Sequence, residues 1–197
     1  MKKALLSGML ATALLTGLTV TANADSTSTG TIGFEAGSLI IDDGGTDLST
    51  ANLDFGSNEI SNADKTYSNT NTTAQATVND LRGSNAGWTL GVAQTGQFSY
   101  TDSNSKTHTL DNATMTLNGT LGSDSTTGVG STVKTGVTLT PDNQSATLMY
   151  ATEGNGNGKS IADISGSTLA VPGATVKVQG NYTTTLTWEL TDGVTNG

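Results

Sequence analysis

The chain has 197 residues with 17 acids against eight Lys and Arg, a formal net charge of −9, and no cysteine. Disulfides and thiolate metal sites are thereby excluded, and nucleic acid is a poor partner because its phosphates are bound largely through Lys and Arg. The same acidity repels anionic polymers and lipid head groups, so a surface partner must be held by hydrogen bonds, aromatic stacking, bridging cations or another protein.

The N-terminus reads as an export signal. Lys2 and Lys3 form a positive n-region, an uncharged and largely apolar stretch follows to Val20, and Thr21-Ala22-Asn23-Ala24 offers an Ala-x-Ala site, so cleavage after Ala24 is expected. Ser7, Gly8, Thr12, Thr16 and Gly17 interrupt the apolar stretch, which is short for a spanning helix. No second apolar segment follows, so no membrane insertion is expected once the signal is removed. Cleavage takes away two lysines and no acid, leaving 173 residues and a formal charge of −11. That length suits one β domain, and without disulfides its stability must come from the core alone. Residues 25–30 read as a mobile leader, and a single domain is expected over 31–197.

Asp42, Asp43 and Asp47 gather around Gly44-Gly45. Calcium prefers oxygen ligands from flexible loops, which makes the three aspartates candidate ligands, although their spacing fits no helix-loop-helix site and a solvated acidic loop is the plainer reading. No cofactor is expected. Asp80 and Arg82 precede a glycine turn, and Arg82 is the only arginine. A bidentate role toward Asp80, another carboxylate or a sugar hydroxyl is one reading; an exposed strand-end ion pair of small energetic worth is the other.

Trp88-Thr89-Leu90 then opens a strand pattern in which Trp88, Leu90 and Val92 share one face, against Thr89 and Gly91. His108, the only histidine, sits among polar neighbours and reads as an exposed strand residue, with no cysteine or nucleophile-elbow serine to serve. Ala113, Met115 and Leu117 alternate with Thr114 and Thr116, and Val137 and Leu139 flank Thr138. Ser123 to Gly128 has the composition of a disordered stretch. Ala146, Leu148 and Tyr150 alternate with Ser145, Thr147 and Met149. Gly154-Asn155-Gly156-Asn157-Gly158-Lys159-Ser160 imitates a phosphate-binding loop, but Glu153 stands where the first glycine is required and no helical pattern follows, so a plain loop is expected. Finally Tyr182, Leu186, Trp188 and Leu190 alternate with Thr183, Thr185, Thr187 and Glu189.

Threonine at alternate positions suits the solvent face of a sheet, helix signals are nearly absent, and glycine and asparagine clusters punctuate the chain. The expected fold is all-β, a single β-sandwich or barrel-like domain of many short antiparallel strands. The two Trp-x-Leu frames have the same internal phase, which suggests adjacent strands and one composite site. Tryptophan is highly buried on average, so both indoles read as core over most of their surface. A partly exposed pair acting as a platform is the alternative, and the two are compatible at a sheet edge.

Five blocks in order carry a resemblance. Gly33-Phe34-Glu35-Ala36-Gly37-Ser38-Leu39, Leu53-Asp54-Phe55-Gly56, Val78-Asn79-Asp80-Leu81-Arg82-Gly83 and Gly87-Trp88-Thr89-Leu90-Gly91-Val92 resemble the first strand and proximal motifs of the WxL domain of low-GC Gram-positive surface proteins. Tyr182 to Asp192, with Trp188-Glu189-Leu190 inside it, resembles that family's distal motif. The chain departs at its end, where Asp192-Gly193-Val194 stands in place of the frequent Asp-Ala-Pro. The resemblance implies non-covalent association with peptidoglycan, co-assembly with membrane-anchored cell-surface proteins of the same gene cluster, and a place on the cell wall or cell surface after secretion. It also implies that Trp88, Thr89, Leu90, Trp188, Glu189 and Leu190, with Arg82 and Asp80, contribute to wall or partner binding. A wall-modifying glycoside hydrolase with a carboxylate pair and a pure protein-assembly subunit stand as alternatives; no catalytic residue is marked out, and a non-enzyme is expected.

Overall fold

The computed structural model describes residues 28–41, 48–123, 125 and 130–194. Ala24 and the aspartates Asp42, Asp43 and Asp47 lie outside them, as does most of the serine- and threonine-rich stretch after Ser123. The chain divides into two units, Met1–Phe34 and Glu35–Gly197. In the first, the described residues 28–34 carry neither helix nor strand.

The second unit is built from short strands. In chain order they are β1 (Leu39–Ile41), β2 (Lys65–Ser68), β3 (Gln75–Asp80), β4 (Trp88–Gln94), β5 (Ser99–Thr101), β6 (Thr107–Thr109) and β7 (Thr114–Leu117). There follow β8 (Thr120–Leu121), β9 (Ser131–Val133), β10 (Val137–Leu139), β11 (Ala146–Ala151), β12 (Gly158–Asp163), β13 (Thr168–Val171) and β14 (Leu186–Asp192). A 3-10 turn, Ser49–Ala51, stands between β1 and β2. Among the described residues three sheets have four strands each, in the orders β1-β3-β12-β8, β10-β7-β13-β2 and β14-β4-β11-β9, and β5 with β6 forms a hairpin. Every pairing is antiparallel, so the domain is all-β and sandwich-like.

Alternation in the sequence explains most of these strands. In β7, Met115 and Leu117 are buried while Thr114 and Thr116 are not; in β10, Leu139 is buried and Thr138 exposed. Each such strand turns its apolar set inward, because a one-residue slip would carry the whole set to solvent. The core joins Trp88, Leu90 and Val92 of β4 with Leu148, Met149 and Ala151 of β11, and extends to Met115, Leu117, Ile164 and Leu169.

Two strands depart from simple alternation. The register of β11 on β4 passes from Thr147↔Gly91 to Met149↔Leu90, so Leu148 is the extra residue of a bulge. A bulge resets the phase of the pleat, and both Leu148 and Met149 are fully buried as a result. Met149, expected beside Thr147 on the outward face, is core. β4 is buried at all seven positions. Thr89, expected on the open face, is covered because its hydroxyl donates to the Gly193 carbonyl at 3.1 Å, and the Thr191 hydroxyl donates to the Thr89 carbonyl. Ser145 closes over Gly91, where a Cβ would have no room.

Candidate functional site

Antiparallel pairing of β14 with β4 sets the two Trp-x-Leu frames side by side, with Trp188↔Val92, Leu190↔Leu90 and Asp192↔Trp88 in register. Directly opposed residues share a face, so Trp88 and Trp188 lie on the same side of the sheet. Four residues of strand separate them, on the order of 13 Å. The strands are neighbours, as their common phase suggests, but the indoles have different surroundings.

Trp88 is fully buried. Its indole N–H donates to the Gly156 carbonyl at 3.1 Å. Gly156 lies in the loop that imitates a phosphate-binding motif, and the loop instead lies over Trp88. Its φ of +85° is a region that L side chains rarely adopt, and a Cβ there would stand 2.5 Å from the indole nitrogen. The Gly154 N–H donates to the Asn85 carbonyl at 2.8 Å, tying the loop to the turn before β4. A two-indole binding platform is therefore not formed.

Arg82 and Asp80 form a junction at the end of the same sheet. Arg82 Nε and Nη2 donate to the two carboxylate oxygens of Asp80, each at 2.9 Å, and Nη2 donates again to the Gly87 carbonyl. Nη1 reaches Asp192 at the end of β14. Arg82 thus clamps carboxylates of its own chain and joins β3 to the turn before β4 and to the last strand. The side-chain hydrogen bonds from Arg82 hold the Asp80 carboxyl below the usual carboxylate range against the opposing effect of burial, and the same bonds raise the Arg82 guanidinium. Asp80 is 1% exposed, so it supports this corner from within.

Trp188 is half-buried, as are Leu186 and Leu190, while Glu189 is exposed on the opposite face. Trp188 borders a groove of about 660 Å³. Residues 182–188 line it, together with Leu48, Asn52, Leu53 and Phe55 from the segment around the 3-10 turn and with Phe98. Phe55 and Phe98 meet edge to face, with ring centroids 6.2 Å apart. Of the residues singled out in the sequence, Trp188 lines the groove, Glu189 and Leu190 follow it along β14, and Trp88, Thr89, Leu90 and Asp80 are buried. Phe55 and Tyr182 were legible only as members of strand-like blocks; Asn52 and Phe98 carry no pattern that would mark them.

His108 is not the exposed residue its polar neighbours suggested. Its ring stacks on Tyr100 with centroids 6.2 Å apart, and Nε2 lies 3.1 Å from the Asp102 carboxylate. The Asp102 carboxyl is held low, first by the Lys106 backbone N–H and then by His108, so it closes the β5–β6 turn. Neighbouring threonine hydroxyls 101 and 107 bond to one another at 3.2 Å. This arrangement orders a hairpin and offers no activated nucleophile.

A family model described as WxL domain surface cell wall-binding matches residues 24–193, nearly the whole chain. No curated protein matches the chain, and no solved structure does. With both Trp-x-Leu frames paired in one sheet and the match spanning the fold, the chain belongs to the WxL family of surface cell wall-binding domains.

Proposed function

We propose that this protein is exported, associates non-covalently with peptidoglycan of a Gram-positive wall, and co-assembles there with membrane-anchored surface proteins. Family membership supports the wall and the surface location. The observation that carries the reading is the groove beside Trp188, a recognition surface of aromatic, aliphatic and threonine side chains in which the described lining holds no carboxylate pair. A non-enzymatic module fits it: binding by shape and hydrogen bonding needs no proton donor poised at a reacting atom, whereas glycoside hydrolysis needs two carboxylates at a set separation.

Charge separates this mode of attachment from a polycation's. A chain with 17 acids and eight bases gains nothing from the phosphates of teichoic acid. The purified protein is expected to sediment with purified, protein-free peptidoglycan as well at 0.5 M salt as at low salt. Protein left in the supernatant would make it an assembly subunit that reaches the wall only through partners. Release of soluble fragments from labelled muropeptides would replace the binding reading with a hydrolase.

A further inference from the structure

We propose that the free edge of β14 is a strand-addition site, and that its occupant is an extended segment of another surface protein. The inference rests on the co-assembly part of the function proposed above and names the form the partner takes.

Two independent observations point to the edge. First, residues 182–188 line the groove, and three of them in succession, Leu186, Thr187 and Trp188, belong to β14. A strand that shows a face to a cavity contributes every second residue; one that contributes each in turn shows its backbone edge. Second, the hydrogen-bond phase fixes which backbone groups look outward. The Thr95 N–H donates to the Thr185 carbonyl and the Gly193 N–H to the Gly87 carbonyl, so the odd-numbered residues of β14 exchange bonds with β4. In an antiparallel ladder the alternate residues then direct N–H and C=O away from the partner strand. These are Leu186, Trp188 and Leu190. Among the described residues β14 ends its sheet, and no other strand pairs with it.

A row of alternating donors and acceptors beside an apolar groove is matched by another extended backbone, with its side chains entering the groove at every second position. Sugar hydroxyls lack that regular spacing, so a glycan lying in the groove would leave the outward N–H and C=O groups of β14 unmatched. Among the described residues the groove lining contains no ionised side chain, while Glu189 stands exposed on the strand itself and the chain carries nine more negative than positive charges. The fitting segment therefore alternates apolar and small polar residues and has Lys or Arg at its flanks. A second copy of this chain suits the site less well. It would bring a like-charged surface.

A phage-displayed library of random dodecapeptides, selected on the purified protein, tests this directly. Selected peptides should show apolar alternation and basic flanks, and should slow hydrogen exchange at the amides of Leu186, Trp188 and Leu190 at least tenfold. N-methylation of such a peptide at one alternate set of amides should weaken binding at least tenfold, and at the other set hardly at all, because a strand pairs through one edge only. Leu186→Pro removes an outward N–H and spares the β4 ladder, so it should abolish peptide binding; the N-methyl series reads the same edge without altering the protein. No enrichment, equal effects of the two methylation sets, or protection of the same amides by muropeptides or by self-association in sedimentation velocity overturns the proposal. Loss of peptidoglycan sedimentation by the unaltered protein would instead strike the wall-binding part of the functional reading, which this selection does not touch.

Discussion

The indole N–H of Trp88 is held by the carbonyl of Gly156 at 3.1 Å, across 68 residues of sequence and wholly away from solvent. The bond closes the glycine-rich loop over the first tryptophan of the family's name-giving pair. The frame at residue 88 is thus foundation, and the outward-facing frame is the one at residue 188.

Trp88→Phe should destabilise the fold by about 2–4 kcal/mol, since it opens a cavity and leaves the Gly156 carbonyl without its donor. Gly156→Ala should act in the same direction, because the added Cβ meets the indole and the backbone is in the left-handed region. Urea midpoints check both. A Trp88→Phe midpoint equal to wild type would show that the loop holds without the indole.

The two tryptophans should separate spectroscopically. In Trp188→Phe the remaining Trp88 should emit at short wavelength and resist acrylamide, whereas in Trp88→Phe the remaining Trp188 should be quenched severalfold more strongly. The contrast follows from full burial of one ring and half-burial of the other. Trp188→Ala should cost less stability than Trp88→Ala, for which about 3–5 kcal/mol is expected. Equal quenching of the two rings would remove Trp188 from the groove wall.

Arg82→Ala should cost about 3 kcal/mol, because it leaves the buried Asp80 carboxylate without its bidentate partner. Arg82→Lys should recover only part of that, since an ammonium is a point charge that cannot reproduce the fork reaching Asp80, Gly87 and Asp192 together. Asp192→Asn touches an exposed partner and should cost under about 1 kcal/mol. Thermal melts of the three variants test the order. Should Asp192→Asn prove as costly as Arg82→Ala, the link to the last strand would be the stronger half of the junction.

Strand phase was legible wherever threonine alternates with a large apolar residue, as in Thr114 to Leu117 and Leu186 to Leu190. Adjacency of β4 and β14 followed from the shared phase of their frames. Thr89 and Met149 were misplaced because burial there comes from long-range events. One is the last strand's turn folding over β4, and the other is a bulge that inserts Leu148, and neither leaves a periodic trace. The glycine-rich segment was legible as a loop from its composition, but not its task, which depends on a tryptophan 68 residues away. His108 was read from its neighbours in sequence, although its environment is set by the cross-strand Tyr100 and by Asp102 at the turn. The groove escaped notice because Asn52 and Phe98 belong to irregular segments brought together only by the fold.

Acid should weaken the fold through the same corner. Arg82 holds the Asp80 carboxyl below its ordinary value of 3.8, so the native state binds that proton less tightly than the unfolded chain does. Where the unfolded state binds more protons, stability rises with pH. The contribution of Asp80 is therefore fully present above its unfolded value and is lost as pH falls through the lower folded value. Asp102 and Asp142 are held low as well, by backbone N–H groups with His108 at one turn and by the Thr140 hydroxyl with a backbone N–H at the other. They act with the same sign but lie nearer solvent than Asp80, so Asp80 should dominate the acid limb. Urea midpoints measured from pH 2 to pH 6 should fall steeply below about pH 4 for the wild type, by the linkage relation. Asp80→Asn should be less stable near neutrality, because Arg82 loses its charged partner, and should show a shallower slope in acid. Parallel curves for the two proteins would place the acid sensitivity elsewhere in the chain.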